Sequence, residues 1–204
     1  MFEACRLYYI IQQPVRPVRP REYDMELNRE QTRTGLCYHE AAHAVFAFHA
    51  RLPVQHVVVT EELEAMCVTS LLPKPYPRQG LEFATIYLAG EHALWKRCGQ
   101  EILHMPFNEF TVVAGTEAED PADSLGGHAG DHAGALELVR LAANNPASAW
   151  GGIESCYQEA CRIAASKVGI WWDEIIVIAE RLREIGYLDG PECAALIEEV
   201  ARSR

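Results

Sequence analysis

The chain has 204 residues, 49% of them hydrophobic, which is enough to fill one core with a small appendage. Its 18 Lys and Arg stand against 29 Asp and Glu, a net charge of −11 that suits nucleic acid poorly, since that affinity comes mainly from neutralised phosphates. Nothing approaches the roughly 18 uninterrupted apolar residues of a membrane span, and no phosphate-binding loop, dinucleotide fingerprint or RNA-binding motif occurs.

Residues 1–30 read as an N-terminal extension or arm. Its apolar patch Leu7-Tyr8-Tyr9-Ile10-Ile11 lacks the basic start and small-residue cleavage site of a signal peptide. Pro14, Pro17 and Pro20 forbid a helix there and favour an extended chain. A helix is predicted from Thr32 or Thr34, either an acceptable cap, to about Ala50, with Leu52-Pro53 closing it. Val54 to Thr60 and Ala65 to Leu72 are β-branched enough to pair as antiparallel strands around the acidic turn 61–64. Pro73, Pro75 and Pro77 then mark a loop.

A second helix is predicted over Leu81 to Cys98. Met105 to Gly130 is irregular, acidic and glycine-rich, about twice the usual upper length of a structureless connection. Its acidic part, Glu117 to Asp123, is most simply a solvated loop. A third helix starts near Asp131, and Ala147–Val168, Trp171–Ile185 and Gly190–Arg202 complete the set. The last is entered through Asp189-Gly190-Pro191, and Trp171-Trp172 serves as a core anchor. The expected fold is α+β and predominantly helical, with one small hairpin or sheet, across residues 31–204.

Chemistry concentrates in His39-Glu40-Ala41-Ala42-His43. Helical residues four apart share a face, so both imidazoles can reach one metal ion, with Glu40 beside them to take a proton from water. A catalytic zinc site needs a third protein ligand and a fourth position open to water. Glu91, His128, Asp131 and His132 are the candidates, and spacing does not decide among them. Asp131 reads equally well as a helix N-cap, and His128 and His132 as groups supporting the ligands or an oxyanion. His49 and His56 are expected on the surface or satisfied within the core. The seven cysteines are scattered without a C-x-x-C pair, which predicts reduced thiols and a cytoplasmic protein; Cys37 is expected to pack, facing away from the ligands.

The order of motifs resembles the peptidase domain of the FtsH-type ATP-dependent zinc metalloproteases. HEAAHAV at 39–45, LPVQHVVV at 52–59, IYLAGEHAL at 86–94, GDHAGALELVR at 130–140 and WDEIIVIAERLREIGYLDGPECAALI at 172–197 follow the family's features collinearly. The resemblance implies Zn2+ held by His39, His43 and Asp131, Glu40 as catalytic glutamate, and a peptide or unfolded protein as substrate. An extended substrate would pair with the edge of one of the two strands. Two departures stand out: Ala42 replaces the motif's glycine, and Glu91-His92-Ala93-Leu94 replaces the family's Arg-x-Ala-Glu. The family's ATPase module and membrane anchor have no counterpart in these residues. The expectation is therefore a stand-alone zinc metalloendopeptidase, working with a separate ATPase or as a homo-oligomer. The alternative is a catalytically silent zinc-binding interaction or regulatory module of the same fold.

Overall fold

The computed structural model describes residues 29–69, 79–97, 128–144 and 152–204. These form six helices, α1 (Arg29–His49), α2 (Gly80–Arg97), α3 (His128–Ala143), α4 (Ile153–Ile170), α5 (Trp172–Ile185) and α6 (Gly190–Arg202). Three strands accompany them, β1 (Val54–Val59), β2 (Ala65–Thr69) and β3 (Tyr187–Asp189). The predominantly helical α+β class is as expected. The N-terminal arm up to residue 28, the proline loop at 73–77 and the acidic stretch 117–123 lie outside the described residues. Among the described residues no helix is long and apolar enough to cross a membrane.

α1 is the axis of the fold. Every residue from Cys37 to Ala47 is buried, the mark of a helix enclosed on all sides rather than laid on a surface. Ala41, Ala42, Ala44 and Ala47 keep it thin, so α2, α5 and the sheet can close around it. The helix starts at Arg29, ahead of the threonine caps the sequence suggested. Its first turns are held by α5: Arg33 donates to the Arg183 carbonyl at 2.8 Å, and Glu30 faces the Arg183 guanidinium. At the other end, Leu52 N–H donates to the Ala47 carbonyl at 2.8 Å and Arg51 N–H to that of Phe48 at 2.9 Å. That paired closure requires a left-handed residue, and Arg51 fills it with φ 59° where glycine is usual.

The sheet is antiparallel with order β2-β1-β3. Val57 stands opposite Cys67 and Leu188, and Val58 opposite Met66 and Tyr187. Val57, Val59 and Leu188 turn inward and are fully buried, while Met66 and Tyr187 are about half exposed on the outer face. The expected pair β1 and β2 is extended to a small sheet by β3, which is three residues long, lies between α5 and α6 in the chain, and docks on the other edge of β1. Gly186, left-handed at φ 74°, ends α5 just before it. Asp189 then caps α6 by accepting from Glu192 N–H at 2.8 Å, with Pro191 in the first turn, as the sequence predicted.

Trp171 sits at the α4–α5 junction, edge-on to Phe46 and stacked on His49 at 4.0 Å. The same His49 pairs with the buried Glu174 at 2.6 Å, which makes it a satisfied core histidine. His56 lies against Tyr187 on the outer face of the sheet. Cys37 packs in the core, its thiol pushed up to about 11 by burial.

Candidate metal centre

Two elements far apart in sequence converge on one point. α1 turns His39 and His43 to the same side, with their Nε2 atoms 3.0 Å apart. α3 brings Asp131, in its first turn and not at a cap, so that Oδ2 lies 2.9 Å from His39 Nε2 and 3.2 Å from His43 Nε2. Ligands about 2.0–2.1 Å from a tetrahedral ion stand about 3.3–3.4 Å from one another. The observed triangle is only a few tenths of an ångström tighter, and two imidazoles with one carboxylate are a donor set that divalent metals favour. This His-His-Asp group could hold a metal ion.

α2 builds the back wall. The Ile86 carbonyl accepts from His43 Nδ1–H at 2.7 Å, which fixes that ring and leaves Nε2 to face the site. Gly90 presses bare backbone against the other ring: a Cβ there would stand 2.5–2.6 Å from three atoms of the His39 imidazole. Sequence reasoning missed both contacts. The one available signal was a glycine inside a helical pattern, which often marks a close approach.

The site is nearly closed off. His39, Glu40 and His43 are 2%, 6% and 8% exposed. Cys67 of β2 lies close to Glu40: burial first, then the Glu40 charge, push its thiol well above its ordinary value. Burial pushes Glu40 up to about 7; the neighbouring His43 opposes this and Asp131 adds to it. For His43, burial disfavours the charged ring, yet Asp131 and Glu40 together lift it to about 9. Burial also works against charge on Asp131, but the two histidines hold it far below the usual carboxylate range.

The other candidate ligands lie apart from this triangle. Glu91 Oε1 meets His132 Nε2 at 3.0 Å, and His132 Nδ1 meets the Tyr157 hydroxyl at 2.8 Å. His128 opens α3, but its side chain is outside the described residues. Among the described residues, His39, His43 and Asp131 are the one group of three that could share an ion. A comparison with known protein families returns no match, and none of the curated proteins matches the chain. The likeness to FtsH-type peptidases rests on the residues quoted above.

Proposed function

We propose that the chain is a zinc metallopeptidase of the FtsH type, acting on extended peptides or unfolded protein. The observation that carries this reading is the convergence of His39 Nε2, His43 Nε2 and Asp131 Oδ2, with the Glu40 carboxylate one residue away on the same helix. Zinc bound there would supply Lewis acidity, bringing the pKa of water towards ~7 and polarising a carbonyl.

The chain's own residues do the rest. A Glu40 carboxylate oxygen accepts the proton of the attacking water and later delivers it to the leaving amine as the peptide bond breaks. Burial and β2 hold that carboxylate still, so little reorganisation precedes transfer. β2 is an outer strand of the sheet among the described residues, and it packs against α1, with Cys67 close to Glu40. An extended substrate pairing along β2 would therefore pass beside the base. The scattered cysteines, none in a disulfide among the described residues, suit a cytoplasmic enzyme working with a separate ATPase or as a homo-oligomer.

Glu40→Gln tests the assignment. The amide cannot accept the proton, so the variant is expected to keep its zinc and lose at least ~100-fold in turnover of an unfolded protein substrate. Hydrolysis at the wild-type rate would remove Glu40 from the mechanism. The deep burial of the three α1 groups favours one second reading, a zinc-holding interaction module without turnover. Stoichiometric zinc with no hydrolysis of any unfolded substrate would select it.

A further inference from the structure

Among the described residues Asp131 makes its side-chain hydrogen bonds to the His39 and His43 imidazoles, whereas the residue after it is held on both sides. Neighbouring side chains on a helix diverge by about 100°. Asp131 therefore turns to α1, while His132 turns into the seam between α2 and α4. There His132 Nε2 meets Glu91 of α2 at 3.0 Å, and Nδ1 meets the Tyr157 hydroxyl of α4 at 2.8 Å. Tyr157 is 3% exposed, and the side chains of Glu91 and His132 are 18% and 19% exposed. Burial pushes the Tyr157 phenol well above its ordinary value, and the acceptor-only Glu91 carboxylate takes the Nε2–H of the neutral His132 ring, which leaves Nδ1 to accept. Tyr157 O–H then donates to His132 Nδ1, and His132 Nε2–H donates to Glu91 Oε1, a chain with one consistent direction.

The place of this chain gives it its meaning. The first turn of any helix leaves its N–H groups without intrahelical partners and is the part that frays. Asp131 lies in that turn of α3. A ligand in a fraying turn binds metal weakly, because the geometry must be rebuilt at each binding event.

We propose that Glu91, His132 and Tyr157 form the positioning device of the third ligand, pinning the first turn of α3 to α2 and α4 so that Asp131 stays within reach of both imidazoles. None of the three is a ligand or a catalytic residue. The proposal rests on the metal reading above.

Zinc affinity by competition with a chromophoric chelator tests it, for wild type, Tyr157→Phe, Glu91→Ala, Glu91→Gln and Asp131→Ala. Amide exchange of the first turn of α3 is followed in the metal-free proteins. Tyr157→Phe and Glu91→Ala are expected to bind zinc about 10- to 100-fold more weakly and to exchange faster at that turn. Glu91→Gln still offers an oxygen to His132 Nε2–H and is expected to recover most of the affinity. Tyr157→Phe keeps the buried ring, so it reports even if Glu91→Ala fails to fold. If wild type binds zinc, Asp131→Ala loses it, and the other variants match wild type in affinity and exchange, the positioning role falls while the metal site stands. Wild type that takes up no zinc overturns both.

Discussion

A missing side chain sets the position of the His39 ring. Alanine at position 90 would favour the α2 helix by about 0.5–1 kcal/mol on propensity alone, but its methyl would occupy the space of the imidazole. Gly90→Ala is therefore expected to weaken zinc binding by roughly 10- to 100-fold and, since the displaced ring is enclosed, to cost the metal-free protein ~1–3 kcal/mol as well. Unchanged affinity in a chelator competition would show that the ring yields without cost. His92 invites a second test. It is 4% exposed, its Nε2 has no hydrogen-bond partner among the described residues, and burial holds it down to about 4, with Glu91 pulling the other way. The unfolded chain takes up this proton near 6.5 and the folded chain only near 4. Stability from this group is full above pH 6.5 and is lost as pH falls through 4, a change on the order of 3 kcal/mol. Urea midpoints of His92→Leu are expected to fall less steeply than wild type between pH 7 and 4.5; parallel slopes would assign the acid limb elsewhere. The site was legible to the extent that it is local. His39, Glu40 and His43 announce themselves by helical spacing, whereas Asp131 was one of four candidates until a resemblance pointed to it. Gly90 and the Ile86 carbonyl act through contacts across helices, which no spacing rule reports.

Elements were readable where their pattern was long. The six described helices lie near their predicted places because runs of more than ten residues carry periodicity or clear stop signals, and β1 and β2, though only six and five residues long, do so through their β-branched content. β3 carries only Tyr187-Leu188-Asp189, too short to alternate, and exists because β1 has a free edge to offer. α1 is already helical at Arg29, ahead of its threonines, where two of its side chains meet α5: Arg33 donates to the Arg183 carbonyl and Glu30 faces the Arg183 guanidinium. The end of α1 offers a clean substitution. Arg51 is exposed and held at φ 59°, where a Cβ is strained and glycine is not. Arg51→Gly is expected to raise unfolding stability by roughly 0.5–1 kcal/mol, read from the urea midpoint at constant slope. A lower midpoint would mean that the arginine side chain contributes contacts outweighing the backbone strain.

For the whole molecule, the central fact is that the candidate centre lies inside the core and not on an appendage. α1, carrying two of the three ligands, is the helix on which α2, α5 and the sheet all pack. Binding at such a place is linked to folding by mass action. Zinc at 100 times its Kd is expected to add about 2.7 kcal/mol to stability in wild type and much less in Asp131→Ala. Equal thermal shifts in both proteins would place the binding elsewhere. The separation of the ligands along the chain has a further consequence, in the language of polymer loops. Asp131 stands 88 residues beyond His43, so an ion shared between them is a cross-link across much of the chain's length. A covalent bridge closing a loop of that size removes on the order of 4–5 kcal/mol of disorder from an unfolded chain. During synthesis, α1 leaves the ribosome with two of the candidate ligands and must wait for α3 before the three can meet.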